Sequence, residues 1–209
     1  MAQKLKEETR QAIINAAKEE FLEKGYDDAS MRSIAAKANI TVGNIYRYFE
    51  NKEELNRYII TETSEDLKKL LDSLKIDRLS MEPRVFDMKT DPSQLLNMID
   101  KLSYRLVDLY LHKEEEFNIL LNDVQLNNTI RNWFEATIRN LIFQSYTVAD
   151  RRRERDVLAH AYAAAVFEGL RQIFFKAEKN EKELLRIVRT YLNSFMKMVN
   201  DEYPIRKYL

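Results

Sequence analysis

The stretch SMRSIAAKANITVGNIYRYFENK, residues 30–52, carries the strongest local signals in this chain of 209 residues. Ser30 is a good cap for a helix whose apolar residues then recur at helical spacing. Asn39 can adopt the left-handed conformation of a tight turn, and Thr41 can cap a second, short helix over Val42 to Tyr48. These signals predict two short helices joined by about three residues, which is the arrangement of a helix-turn-helix.

The second helix of this unit has an outward face that is not typical of a solvated helix. Tyrosine and valine gain little from facing water, and Gly43 inside a helix costs up to about 1 kcal/mol. Residues 31–52 carry four basic residues and one acidic residue, a net charge of +3, although the formal net charge of the whole chain is zero. These features indicate a partner outside the protein, and the best candidate is a DNA duplex. With Ile45 and Phe49 inward, the residues left outward are Val42, Gly43, Asn44, Tyr46, Arg47 and Tyr48.

The side-chain chemistry divides these candidates into two groups. Asn44 and Arg47 can pair with base edges, and Val42 can contact a thymine methyl group. The donors suited to phosphate oxygens are Thr41, Tyr46, Tyr48 and Lys52.

The alternative is a three-helix cap on a helical protein, with tyrosines that are half-buried and bind nothing. The pattern alone leaves this alternative open.

Composition predicts an all-α protein, because the chain has only 3 Gly and 3 Pro and long stretches rich in good helix formers. The lack of cysteine excludes disulfides, thiolate metal sites and cysteine nucleophiles. Neither histidine belongs to a recognisable ligand set, and no nucleophile–base pair or phosphate loop is present, so we expect no enzyme, cofactor or metal site. The N-terminus lacks a signal peptide and no run approaches about 18 apolar residues, which predicts a soluble, cytoplasmic chain without a membrane span.

Helical periodicity and capping signals divide the rest of the chain. Gly25 should end a first helix that begins near Lys6, and Asn51 with Glu54 resembles the capping box of a long helix reaching about Ile76. The predicted domains are a DNA-binding domain, 1–52, and a helical effector-binding and dimerisation domain, 53–209, joined by that long helix. The remaining predicted elements are a loop at 77–91 and helices at about 92–110, 114–121, 129–146, 153–177 and 182–200.

Residues 9–55, TRQAIINAAKEEFLEKGYDDASMRSIAAKANITVGNIYRYFENKEEL, resemble the N-terminal domain of TetR/AcrR-family transcriptional regulators. The motif is specific because both spacing and residue type agree throughout this stretch. The chain departs from the family pattern at Asn39, where glycine is frequent, at Asn44, where threonine is usual, and at Met31, where a hydroxyl residue is common. The resemblance places the DNA contacts on Met31, Arg32, Thr41, Val42, Gly43, Asn44, Tyr46, Tyr48 and Lys52.

The resemblance also implies that the remaining chain is a helical domain that dimerises through its last two long helices. The residues agree, because VLAHAYAAAVFEGL, 157–170, is apolar nearly all round and such a helix must be covered on every side. The last helix carries two apolar stripes. One can pack in the chain's own core, and the other can meet the partner's helices in a four-helix bundle. A buried hairpin in a monomer is the alternative. The predicted interface residues are Ala161, Ala165, Leu184, Val188, Tyr191 and Phe195.

Members of the family often hold a small-molecule effector in this second domain. Apolar side chains at helical spacing fit a plain core equally well, and Glu168 could bind a polar ligand group or pair with an arginine. The basic run of Arg151 to Arg153 with Arg155 is interpreted as a solvated loop and helix start. The predicted pocket residues are Tyr104, Trp133, Phe134, Thr137 and Phe167.

These features together predict a dimeric repressor that a small molecule releases from a near-palindromic operator. Two recognition helices about 34–36 Å apart would meet successive major grooves of such a site. One rival is a DNA-binding protein of the same fold that has no small-molecule effector and is controlled by a protein partner. Another is a helical enzyme or carrier whose N-terminal unit only resembles a DNA reader.

Overall fold

The computed structural model of the chain describes residues 2–74, 92–143, 152–176, 178 and 180–202. These residues are helical almost throughout and contain no strand, which confirms the predicted all-α class. Among them, no helix is both long and apolar enough to cross a membrane. The helices are α1 (Ala2–Asp28), α2 (Met31–Lys37), α3 (Val42–Ile45), α4 (Lys52–Ser73), α5 (Pro92–His112), α6 (Glu114–Leu121), α7 (Val124–Phe143), α8 (Arg152–Lys176) and α9 (Glu181–Glu202).

The helices form two compact units. The first unit consists of Met1–Asp66 and Lys113–Asn127, and the second of Leu67–His112 and Asn128–Leu209. This division differs from the predicted domains 1–52 and 53–209, since the first half of α4 and all of α6 belong with the N-terminal helices. Polar contacts inside the first unit account for the difference: Lys18 on α1 pairs with Glu116 on α6, and the Asn56 side chain on α4 donates to Asp123 at 3.1 Å.

The core of the first unit lies where α1, α2, α3, α4 and α6 meet. The apolar stripe of α1 is buried as its periodicity predicts, and α2 contributes Ile34 and Ala35, both without solvent exposure. Because α2 buries only three side chains and α3 only one, both short helices depend on the rest of the unit for their stability. The largest fully buried apolar side chains here are Ile13, Ile34, Ile45, Phe49, Leu55, Phe117 and Leu120.

The second unit is built on α5 and α8, both of which pack against α9. One stripe of α9 is buried at the spacing that an amphipathic helix requires, namely Leu184, Val188, Leu192 and Phe195. The Tyr110 and Phe174 rings meet with centroids 5.1 Å apart, which joins α5 to α8. This unit therefore has an apolar core of its own.

Most helix limits agree with the sequence-based prediction, and two differences have a clear cause. Gly25 has φ 78° and ψ 169°, so the helical backbone breaks there as predicted, but one more turn follows before α1 ends. The third helix stops at Ile45 rather than Tyr48, because the Arg47 and Tyr48 N–H groups donate to carbonyls three residues back, at 3.1 and 3.0 Å. The predicted loop at 77–91, the end of α4 near Ile76 and the end of α7 at Tyr146 lie outside the described residues.

Candidate nucleic-acid interface

The start of α2 is set by a serine cap. Ser30 has extended backbone angles, and its hydroxyl accepts a hydrogen bond from the Ser33 N–H at 3.1 Å, as an N-cap should. Met31 then faces the core and is only 8% exposed, whereas Arg32 is exposed. The predicted DNA contact of the Met31 side chain is therefore corrected, because this side chain packs inside the unit.

The turn between α2 and α3 is closed by two reverse hydrogen bonds. The Ile40 N–H donates to the Ala35 carbonyl at 3.0 Å, and the Asn39 N–H donates to the Ala36 carbonyl at 3.1 Å. Asn39 takes the left-handed conformation with φ 55°. This is a Schellman motif in which asparagine takes the usual place of glycine, and it confirms the predicted turn.

The third helix projects from the unit on a single buried anchor. The Thr41 hydroxyl accepts from the Asn44 N–H at 3.2 Å, which caps the helix, and Ile45 is fully buried. Val42 and Tyr46 on the other side are 40% and 50% exposed. Arg47 is exposed, while Asn44 and Tyr48 are half-buried. We call the exposed set the recognition surface, and it comprises Arg32, Thr41, Val42, Gly43, Tyr46 and Arg47.

An open, concave surface lies along the turn and α3, and the space that it partly encloses has a volume of about 820 Å³. Gly43 lies in it, and a Cβ added there would have no atom within 4 Å. Packing within the chain therefore does not require glycine at this position. The surface is lined by Ala36, Asn39, Ile40, Thr41, Gly43, Asn44 and Arg47.

Two of the four cations that gave residues 31–52 their positive charge are already bound inside the unit. Lys37 contacts Glu23 at 2.6 Å, Glu19 at 3.3 Å and Glu20 at 3.5 Å. Hydrogen bonding to Glu23 raises the pKa of Lys37 to about 12. Lys52 lies against backbone carbonyls at the end of α1. Arg32 and Arg47 have no ion-pair partner among the described residues.

A buried carboxylate, which the sequence-based interpretation missed, fixes α2 on α1. Glu20 has no solvent exposure. It accepts hydrogen bonds from the Ser33 hydroxyl at 2.5 Å and from Lys24 at 2.7 Å. Burial raises its pKa, but hydrogen bonds from Lys24 and Ser33 outweigh burial, so the pKa of Glu20 is lowered overall. Glu20 lies three residues after Ala17, on the apolar stripe of α1. A charged residue at such a position was the signal in the sequence that could have predicted a buried carboxylate.

The second unit contains only part of the predicted effector pocket. A cavity of about 30 Å³ contacts three of the five predicted residues, Trp133, Phe134 and Thr137. Tyr104 is 52% exposed on α5, so its assignment to a pocket is corrected, and Phe167 is buried but does not line this cavity. The Trp133 indole N–H donates to the Leu71 carbonyl at 3.0 Å, which fixes the ring at the cavity wall.

The predicted dimer residues separate into two groups. Leu184, Val188 and Phe195 are buried in the chain's own core. Their assignment to a dimer interface is therefore corrected, because this stripe of α9 packs within the chain. Ala161 and Ala165 are exposed on α8, and Tyr191 is half-buried with its hydroxyl donating to the Ala165 carbonyl at 2.8 Å. Exposed apolar side chains on the same two helices are Val157, Phe175, Ile187 and Met198.

Two other expectations concern polar groups of the second unit. Glu168 pairs with Arg171 at 2.7 and 2.8 Å, and this hydrogen bonding holds the pKa of Glu168 at about 2, so its partner is an arginine. Arg151 lies outside the described residues, and Arg152 begins α8. Within the described part of the chain, no three His, Asp or Glu side chains are grouped to hold a metal ion.

Residues 13–59 match the model of bacterial regulatory proteins of the tetR family. A transcriptional regulator of Pseudomonas putida, SrpR, is 40% identical over 62 residues, which are 30% of this chain and 29% of that protein. Alignments with the first curated relatives span only 29% to 36% of their own length.

The likeness of the fold extends further along the chain. A TetR-like transcriptional regulator from Rhodococcus sp. RHA1 superposes with a TM-score of 0.56 at 15% identity, over 90% of this chain and 96% of that one. NalD of Pseudomonas aeruginosa, the secondary repressor of the MexAB-OprM multidrug efflux pump, superposes with a TM-score of 0.51 at 22% identity, over 91% and 96%. Residues 13–59 are thus similar to the N-terminal domain of the tetR family of bacterial regulatory proteins, and the fold of the chain is similar to the folds of these two regulators.

Proposed function

We propose that this chain is a DNA-binding transcriptional repressor that acts as a homodimer and is released from its operator by a small molecule. The observation that carries the proposal is the recognition surface, where valine, tyrosine and arginine side chains are exposed on α3 and on the turn that follows it, next to the buried Ile45. Members of this family are regulators and not enzymes, which agrees with the sequence-based expectation.

The residues of the recognition surface can supply both kinds of DNA contact. Arg32, Thr41 and Tyr46 offer donors for phosphate oxygens, which position a protein on the duplex. Val42 suits a thymine methyl group in the major groove, and the exposed Arg47 guanidinium can bind a phosphate oxygen or a guanine edge. The half-buried Asn44 and Tyr48 remain candidates at the edge of this surface.

A matched pair of tyrosine variants tests DNA binding. Tyr46 and Tyr104 are 50% and 52% exposed, but only Tyr46 belongs to the recognition surface. We expect Tyr46→Ala to weaken retention of a duplex selected from a random library by the wild-type chain, while Tyr104→Ala retains it fully. Equal retention by both variants in a fluorescence-anisotropy titration would refute the assignment.

The proposed homodimer uses the exposed face of α8 and α9. Residues 157, 161, 165, 168, 172 and 175 follow one stripe of α8, and Val157 and Phe175 are among its exposed apolar members. Ile187 and Met198 extend the apolar surface onto α9. Several exposed apolar side chains on two neighbouring helices favour an interface over a solvated face.

Light scattering on the full chain tests the dimer. Ala161→Glu places a charge in the middle of the proposed interface, and we expect it to convert the wild-type dimer into a monomer. Leu96→Glu is the control, because Leu96 is 52% exposed on α5. A wild-type monomer, or a dimer that survives Ala161→Glu unchanged, would contradict this proposal.

The small cavity of the second unit bears on whether a small molecule or a protein partner controls DNA binding. Ligand pockets usually measure about 300–1,000 Å³, whereas the cavity at Trp133 and Phe134 measures about 30 Å³ with an apolar lining. An effector at this place must therefore be apolar, and it must part the surrounding helices. The tight packing favours a second candidate function. This is a DNA-binding regulator of the same fold that has no small-molecule effector and is controlled by a protein partner.

Small aromatic probes distinguish the two candidates. Indole and toluene are titrated into the complex of the full chain with its selected duplex, with anisotropy as the readout. Release by either probe, together with weaker probe binding in the presence of the duplex, supports the effector, because coupling between two sites is reciprocal. Retention of the duplex at saturating concentrations of both probes supports the second candidate.

A further inference from the structure

The ammonium group of Lys52, the first residue of α4, lies against the end of α1. Its Nζ donates hydrogen bonds to the carbonyl oxygens of Tyr26, of Asp27 at 3.0 Å and of Ala29 at 2.8 Å. A lysine ammonium has three N–H donors, and three carbonyls therefore use its whole donor capacity. The Tyr26 ring covers the same group, with its centroid 4.4 Å from Nζ.

The carbonyls of Tyr26 and Asp27 belong to the last turn of α1, and that of Ala29 follows directly after the helix. The last turn of an α-helix carries free C=O groups and the negative end of the helix dipole, and both favour a cation. Lys52 supplies that cation from 23 to 26 residues further along the chain. The helix-turn-helix, residues 31–49, lies between the carbonyls of residues 26–29 and Lys52. The hydrogen bonds of Lys52 therefore join the segment before the helix-turn-helix to the helix after it.

The other three cations of residues 31–52 are of two kinds, one bound inside the unit and two exposed. Lys37 is bound by three glutamates of α1. Arg32 and Arg47 are exposed, and neither has an ion-pair partner among the described residues. A phosphate oxygen that approached Lys52 would have to replace at least one carbonyl, whereas one that approached Arg47 would replace only water.

We propose that Lys52 is a positioning residue that holds the helix-turn-helix between α1 and α4, and that Arg32 and Arg47 neutralise the phosphates. This inference rests on the proposed DNA-binding function. It reverses the assignment of Lys52 as a phosphate ligand, which followed from its residue type and from the resemblance. The basic charge of the sequence motif is accordingly divided into two structural lysines and two DNA-contacting arginines.

Salt dependence separates the two roles, because each phosphate contact adds about 0.9 to the slope of log affinity against log salt concentration. Between 50 and 200 mM salt, loss of one contact reduces the salt-induced weakening by about 3.5-fold, and loss of one contact from each protomer of a dimer reduces it by about 12-fold. The matched variants are Lys52→Met and Arg47→Met, each of which removes one positive charge. They are compared on the full chain with its selected duplex, and the melting temperature Tm is measured in parallel.

We expect Arg47→Met to keep the wild-type Tm and to lower the slope by about 0.9 per protomer. We expect Lys52→Met to keep the wild-type slope and to lower the Tm by about 4 °C, since three carbonyls lose a charged donor. A slope that falls equally in both variants, with an unchanged Tm for Lys52→Met, overturns the proposal.

Lys52→Arg decides the question if Lys52→Met does not fold. The planar guanidinium keeps the charge but cannot direct three donors at three converging carbonyls, so we expect a lower Tm with an unchanged salt slope. A Lys52→Arg chain with the wild-type Tm and a changed salt slope would contradict the positioning role, because the substitution would then act on the phosphate contacts and not on the carbonyls. A wild-type chain that retains no duplex at all refutes the proposed function itself, before any variant is measured.

Discussion

Replacement of Gly43 by alanine should raise the stability of the protein and lower its affinity for DNA. Gly43 lies in α3 on the recognition surface, and a Cβ at this position would meet no atom of the chain within 4 Å. Alanine at a compatible helical position stabilises a protein by about 0.4–1 kcal/mol, because the unfolded chain loses freedom. For a chain of this size, the Tm should rise by about 1–4 °C.

The expected loss of affinity follows from the same open space. A glycine that packing does not require is explained if the DNA approaches the backbone here closely. An extra methyl group in a close-packed contact costs about 1–3 kcal/mol, which corresponds to a weakening of about 5- to 140-fold. Stability and affinity should therefore change in opposite directions, which a general loss of folding cannot produce.

Thermal unfolding and anisotropy titration with the selected duplex measure the two changes on the same preparation. Ala36 lines the same concave surface on α2, and Ala36→Ser serves as the control for a small change nearby. The reasoning is refuted if Gly43→Ala raises the Tm while its affinity stays within about twofold of the wild type, a difference of about 0.4 kcal/mol.

Two further predictions concern the contacts that hold each unit. Glu20→Gln should destabilise the protein by about 1.5–3 kcal/mol at pH 7. Because the pKa of Glu20 is lowered in the folded state, the difference between variant and wild type should be complete above pH 4.5 and shrink as the pH falls below it; a constant difference in denaturant titrations from pH 7 to 3 contradicts this. In the second unit, a Cβ on Gly169 would lie 2.0 Å from the Tyr191 hydroxyl oxygen. Gly169→Ala should therefore displace this ring and cost about 1–3 kcal/mol, and a Tm equal to that of the wild type would count against the tight contact of α8 with α9.

The helix-turn-helix could be predicted because its signals are local. Serine and threonine hydroxyls reach N–H groups three residues away, and asparagine at position 39 tolerates the left-handed turn. The start of α4 is capped as predicted by Asn51, which accepts from the Glu54 N–H at 2.7 Å, while Glu54 reaches one residue further back than in a capping box and accepts from the Glu50 N–H at 2.6 Å. Each of these contacts joins residues three or four positions apart, so the spacing of residue types is enough to predict it.

The two-unit division and the α9 stripe were less predictable. Both stripes of α9 are apolar, so periodicity alone does not tell which one meets α5 and α8 within the chain. The structure buries Leu184, Val188, Leu192 and Phe195, and Leu192 belongs to the other predicted stripe than the remaining three. In the same way, α6 joins the first unit through partners such as Lys18 that lie far away in the sequence.

The sequence by itself determined the helical class, the position of the helix-turn-helix and the residues of α3 that point outward. These features depend on caps, turns and helical spacing, which act over one or two turns of the chain. Only the tertiary structure decided which cations are free to meet DNA. Lys37 and Lys52 resemble Arg47 in the sequence, but Glu23 on α1 binds one and carbonyls at the end of α1 bind the other. Charge belongs to a residue type, whereas its availability depends on which distant groups the fold brings within hydrogen-bonding distance.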